Sequence, residues 1–270
     1  MERYQVILAY DGTHFLGFQR QGKGRTVQGV VETALRQLGW QERTILAAGR
    51  TDTGVHASGQ VISFDLEWDH PAEALQRALN ALLPPDVSVC EAQPTRADFH
   101  PCYDAISRRY RYHLYCQSVR DPLKERYAWR VWPAPQIDLL SQAAGPLLGT
   151  HDFTAFGTPP RIHGTTVRTV FQAGWQEDGV DLVFEISATA FLYRMVRRLV
   201  YLQVMVGQGR LGLEIISQCL QPHDKGDLIK GLAPAQGLRL VEVCYPEGRQ
   251  KASADTDHPA DTDHPYKSGN

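Results

Sequence analysis

The sequence predicts an α+β fold in which two β-α-β-β-α-β halves build one mainly antiparallel sheet. Two observations predict it. Stretches of strand and helix periodicity follow one another in the same order twice along the chain, the split βαβ or ferredoxin-like arrangement. In the second half, two alternating stretches are joined by Asp178-Gly179, a hairpin signal. The expected division is 1–105 for the first half, 106–246 for the second, and 247–270 for a disordered acidic repeat tail.

Tyr4–Tyr10 (YQVILAY) reads as the first strand, followed by a turn at Asp11-Gly12-Thr13. His14–Gln21 is a loop bearing Phe15, Phe18 and Arg20. The glycines and lysine at 22–24 lack phosphate-loop spacing and read as a connector. Val27, Val30, Val31, Ala34, Leu35 and Leu38 then recur at helical spacing, with Thr26 placed to cap and Gly39 to terminate. Thr44–Ala48 is a short strand, and Gln60–Leu66 is the strand beside it. Pro71–Leu83 is a helix with Leu75, Leu79 and Leu82 inward, stopped by Pro84-Pro85, and Val87–Glu91 closes the half. In the second half, Ile106–Tyr115 is a strand and Ile137–Leu148 a helix; Thr165–Trp175 and Val180–Ala188 form the hairpin. Leu192–Gly207 and Leu213–Leu220 are helices, and Leu238–Cys244 is the last strand. In the tail, Ala254–Pro259 (ADTDHP) recurs unchanged as Ala260–Pro265, a polar repeat that cannot bury a core.

Composition excludes several classes. An apolar content of 43% with 21% charged residues over 270 residues suits a soluble globular chain. No apolar run reaches the length of a membrane span, and the start has no secretory core, so a cytoplasmic location is expected. Five widely spaced cysteines without a C-x-x-C pair argue against a disulfide framework or a zinc site. Residues 1–246 carry 25 basic and 25 acidic side chains, but only four of the basic ones are lysine. An arginine bias suits bidentate recognition of phosphate or carboxylate rather than a diffuse positive field.

Three stretches carry candidate chemistry. Gly49–Gly59 (GRTDTGVHASG) sets one carboxylate, Asp52, with Arg50, His56, Thr51, Thr53 and Ser58 between three glycines. It reads either as a site on a tightly shaped loop or as a polar turn capped by its own Asp. In Ile106–Tyr115, period-two alternation puts Arg108, Tyr110, Tyr112 and Leu114 on one face and Arg109, Arg111 and His113 on the other. Arginines among aromatics fit a surface that stacks bases and neutralises phosphates, or cross-strand packing with charged edges. In the helix after Phe191, Arg194, Arg197, Arg198 and Tyr201 fall on one stripe. Like charges at that spacing cost stability unless an anion pairs with them, so at least one meets a carboxylate or phosphate. Other signals are weaker. His151-Asp152 lacks partners for a metal set, Ser58 has no local base, no second acid is spaced to work with Asp52, and His258 and His264 sit in the tail.

Five motifs in order over about 240 residues give the chain a family resemblance. GRTDTGVHASGQV (Gly49–Val61) resembles the signature of the TruA-type tRNA pseudouridine synthases, joined by YDGT (Tyr10–Thr13) with FQRQ (Phe18–Gln21). RRYRY (Arg108–Tyr112), FLYRMVR (Phe191–Arg197) and APAQGL (Ala233–Leu238) complete the set. The resemblance implies a pseudouridine synthase fold with a central RNA-binding cleft between two related halves, usually a homodimer. It implies isomerisation of uridine to pseudouridine in the anticodon stem-loop of tRNA, at positions 38, 39 and 40, with neither metal nor cofactor. Asp52 is implied as the catalytic carboxylate, Tyr110 as the ring that stacks on the target base, and Arg197 as the partner of Asp52. Arg50 is implied as an RNA contact, and Arg20, Arg108, Arg168 and Arg194 are further candidates for binding the substrate. Phe18 stands where Trp is usual, Pro101-Cys102 replaces the end of the usual FHAR, and Tyr201 stands where Gly is usual.

Overall fold

The computed structural model describes residues 1–159, 164–221 and 230–246. The expected tail at 247–270 lies outside them. Ten strands form one sheet: β1 (Glu2–Tyr10), β2 (Leu46–Ala47), β3 (His56–Leu66), β4 (Val87–Pro94), β5 (Ser107–Tyr115), β6 (Trp129–Arg130), β7 (Gly149–Asp152), β8 (Val167–Asp178), β9 (Asp181–Ala188) and β10 (Leu238–Cys244). The helices are α1 (Val27–Gln37), α2 (Ala72–Leu82), α3 (Ile137–Ala144), α4 (Met195–Gly207) and α5 (Glu214–Cys219).

The strand order is β4-β1-β3-β10-β5-β9-β8-β7, with β2 alongside β3 and β6 alongside β5. All pairings are antiparallel except β10 with β3 and β6 with β5. Thus β4-β1-β3-β2 and β10-β5-β9-β8 have the same order, and β10 joins them. The fold is α+β with a large, mostly antiparallel sheet, as the sequence predicts.

Local chemistry explains the elements. In β1 the alternate residues Tyr4, Val6, Leu8 and Tyr10 are buried, as a half-covered strand requires. The α1 N-cap is Thr26, whose Oγ1 accepts from the Gly29 amide at 3.3 Å. The helix closes on Gly39, whose φ of 90° suits glycine. Helices α1 and α2 turn Val27, Val31, Leu35, Leu75 and Leu79 onto the first half of the sheet. Helix α4 buries Met195, Leu199 and Val206. Its Gln203 is buried too, with Oε1 accepting from Trp175 Nε1 at 2.8 Å.

The sequence reading differs from the structure at a few points. The strand expected over Thr44–Ala48 is only two residues long. Its edge of β3 is shared with β10, which pairs with His56 and Ala57. That pairing starts β3 at His56, so four residues of the expected loop are strand. At Gly59 a Cβ would lie 2.2 Å from the Val241 carbonyl oxygen, at the irregularity between Leu240 and Glu242. Helix α4 begins at Met195 rather than Leu192, because Arg194 takes φ 64°, ψ 9°.

Candidate active site

Asp52 opens a tight turn. The Val55 amide donates to the Asp52 carbonyl at 3.1 Å, and Gly54 supplies φ 78°, a value that favours glycine. The turn is gripped from two sides. The Phe18 amide donates to the Thr51 carbonyl at 3.1 Å and the Gly54 amide to the Phe15 carbonyl at 3.4 Å. Tyr10 and Thr51 share a hydroxyl–hydroxyl bond of 2.8 Å. Burial pushes the Tyr10 phenol up to about 12, against hydrogen bonds from Thr51 and Gln60.

Arg197, on the first turn of α4, comes from the second half of the chain. Its Nη1 lies 3.2 Å from Asp52 Oδ2, a contact between residues 145 apart in sequence. Both side chains are largely buried, at 12% and 20% exposure. The Arg197 Nε donates to the Ala233 carbonyl at 2.7 Å, and the Ala233 amide returns a bond to the Arg197 carbonyl at 3.2 Å. Tyr112 Oη holds the next residue by donating to the Pro234 carbonyl at 2.7 Å. A Cβ added at Gly54 would lie 3.2 Å from Ala235. The Ala233–Gly237 segment is therefore wedged between Arg197, Tyr112 and the Asp52 turn. Its structural part was invisible in the sequence, where the only signal was the motif itself.

Tyr110 is 9% exposed, and its ring meets Phe191 edge-on at 5.0 Å. Burial raises its phenol far above the usual range; the Tyr10 and Asp52 charges add to this and Arg108 opposes it. The hydroxyl therefore stays protonated at neutral pH. A fixed carboxylate, a guanidinium aimed at it and a protonated phenol on a buried ring share one side of the sheet. That set can present a charged nucleophile or base beside a flat stacking surface.

The other predicted residues fall into two groups. Arg50 is exposed, and among the described residues it makes no side-chain hydrogen bond or ion pair. Arg194 is exposed as well, with its guanidinium 4.7 Å from the Tyr193 ring centroid. Three others are committed to the protein itself. Arg20 Nη1 pairs at 2.6 Å with Glu32, a fully buried carboxylate. Arg108 is 8% exposed and donates to the carbonyls of Ala48, Cys102, Ala105 and Thr189. Arg168 is 9% exposed and donates to the Thr165 and Val167 carbonyls. The alternation in β5 therefore places Arg108, Tyr110, Tyr112 and Leu114 on a buried face. The opposite face is charged and cross-paired, with Arg111 on Glu185 at 2.6 Å and Arg109 on Glu242 at 2.6 Å. Among the arginines after Phe191, Arg197 meets a carboxylate, and Arg198 donates to the Phe156 and Tyr193 carbonyls. His151 and Asp152 serve local turns, bonding the Leu148 carbonyl and the Thr154 amide.

A protein-family model described as tRNA pseudouridine synthase matches residues 6–104 and 143–246. The chain belongs to this family. Its relatives include proteins named tRNA pseudouridine synthase A from Lacticaseibacillus casei (strain BL23) and Geobacter sp. (strain M21). The first is 40% identical over 248 residues, covering 91% of this chain and 100% of the relative. The second is 36% identical over 247 residues, covering 92% and 100%. Membership makes the protein an enzyme, a tRNA-modifying isomerase. The departures from the family pattern are absorbed locally. Tyr201 stacks at 6.5 Å on Trp129 and fills the space beside Gly231, where a Cβ would lie 1.7 Å from its ring. Cys102 supplies a carbonyl to Arg108 at 2.7 Å. Phe18 is fully buried, with its ring 6.3 Å from Tyr10.

Proposed function

We propose that the protein converts uridine to pseudouridine at positions 38, 39 and 40 in the anticodon stem-loop of tRNA, with Asp52 as the catalytic carboxylate. The observation that supports this reading is the Asp52–Arg197 pair, built from two distant motifs of the chain. The reaction breaks the N1–C1′ bond, turns the uracil while it stays bound, and joins C5 to C1′. C5 loses a proton and N1 ends protonated, so the step is an isomerisation without net redox change or hydrolysis. Attack of the carboxylate on C1′, attack on C6 and a glycal route all require Asp52 ionised. The guanidinium beside it fixes the carboxylate's direction.

A uridine within a stem must leave its stack, at a cost of a few kcal/mol. Stacking on the Tyr110 ring offsets part of that cost, and its protonated hydroxyl assists proton movement at C5. Arg50 and Arg194, both exposed, take the phosphates. Arg20, Arg108 and Arg168 act in this reading by holding the walls of the site. The enzyme works as a homodimer in the cytoplasm, with no metal or cofactor, and 1–105 and 106–246 form the two walls of the cleft.

The test is pseudouridine mapping in tRNA from cells lacking the protein, with and without the wild-type copy restored. Loss at positions 38–40 that returns on restoration is expected. An unchanged map would refute the assignment, and tRNA binding without product would mark a non-catalytic binding protein. Free uracil among the products would mark a hydrolytic nucleosidase instead.

A further inference from the structure

The segment between β5 and β6, Gln117–Ala128, crosses to the first half of the chain and grips the start of the Asp52 site. Nothing in Ser118–Tyr127 is buried, so this strap adds almost nothing to the core. Its ties are specific. Asp121 N donates to Tyr115 Oη at 3.2 Å, and Lys124 Nζ pairs with Asp181 at 2.6 Å, which fixes the strap to its own half. Its far end reaches Asp11: Arg126 Nη2 lies 2.6 Å and Nε 2.9 Å from Asp11 Oδ2, and Tyr127 Oη donates to the same oxygen at 3.0 Å. The Tyr127 ring also packs on the His56 imidazole at 5.1 Å.

Asp11 and His56 flank the catalytic turn. The Gly12 amide donates to His56 Nδ1 at 3.0 Å, with Asp11 Oδ1 3.1 Å from the same nitrogen. A Cβ on Gly12 would fall 2.0 Å from the Val55 carbonyl oxygen, so this backbone is pressed against the last residue of the Asp52 turn. The loop that begins at Asp11 goes on to bond Gly54 and Thr51 through Phe15 and Phe18. A continuous path of contacts thus runs from Arg126 and Tyr127 through Asp11, Gly12 and His56 to Asp52.

We infer that Arg126 and Tyr127 are positioning residues that hold the Asp52 turn in register with Arg197 across the two halves. This rests on the function proposed above and adds to it a source of alignment outside the motifs. Misplacement of a reacting group by about 1 Å costs rates on the order of 10²-fold, and an exposed latch sets a smaller displacement than that.

The test uses full-length protein carrying Arg126→Met with Tyr127→Phe, which keeps the aliphatic stem and the ring. Single-turnover pseudouridine formation at saturating tRNA is expected to fall about tenfold, with tRNA Kd and Tm unchanged. Arg126→Lys, which keeps the charge, retains most of the rate. An unchanged rate in the double variant, or a loss confined to Kd, overturns the inference. Hydrogen exchange at the Gly12, Gly54 and Val55 amides gives an arm independent of activity. It is expected to rise in the double variant, and unchanged exchange also overturns the inference. Failure of the wild-type protein to form product would instead strike the proposed function.

Discussion

Arg197 is held in two directions at once, by the Ala233 carbonyl through Nε and by Asp52 through Nη1. A planar, forked donor holds both partners through separate nitrogens in a fixed geometry, which a single ammonium nitrogen does not reproduce. Arg197→Lys keeps the charge but serves one partner, so kcat is expected to fall by about 10²-fold with tRNA affinity retained. Equal kcat in steady-state assays of the two proteins would remove the aiming role. Tyr110 presents a separable question, because its ring and its hydroxyl do different work. Tyr110→Phe is expected to keep Kd for tRNA and lower turnover. Turnover equal to wild type would leave the hydroxyl without a part in the chemistry.

At the scale of elements, α1 carries a buried carboxylate that needs its cation. Glu32 is fully buried and accepts from Arg20, from Gln28 Nε2 at 2.8 Å and from the Ile45 amide at 3.3 Å. Arg20→Ala leaves that charge short of a partner and is expected to cost about 1–3 kcal/mol, less than a fully buried pair because Arg20 is half in water. Adding Glu32→Gln should recover much of the loss in denaturant titrations; no recovery would mean that Arg20 acts elsewhere. Much at this scale is legible in the sequence, since α1, α2 and β1 follow from periodicity and caps. The two-residue β2 and β6 and the four-residue β7 carry no periodicity of their own and exist through their neighbours. Alternation in β5 separates its two faces correctly but is silent on which is buried, since the acids that cover Arg109 and Arg111 lie far along the chain. The left-handed Arg194 that delays α4 has no sequence signal at all. The juxtaposition of Asp52 and Arg197 is legible only through the family resemblance, because no local spacing links residues 145 apart.

For the whole molecule, buried histidines tie stability to pH. Burial lowers the pKa of His56 against the pull of Asp11, and burial with Arg239 and Arg111 lowers that of His113. Both folded-state values lie below the unfolded value of about 6.5. Their contribution is therefore present above about 6.5 and is lost as pH falls through the folded values, because the unfolded chain binds the protons first. Tm is expected to drop between pH 7.5 and 5, and less so in His113→Asn; identical slopes would assign the drop to other groups. The architecture as a whole brings one carboxylate from the first half under a guanidinium and a phenol from the second. Tritium release from tRNA labelled at uridine C5 tests that claim most directly, with purified wild-type protein beside Asp52→Asn. The expected result is release by wild type and a fall on the order of 10⁴-fold or more in the variant, with fold and tRNA affinity intact. Substantial release by Asp52→Asn would contradict the account.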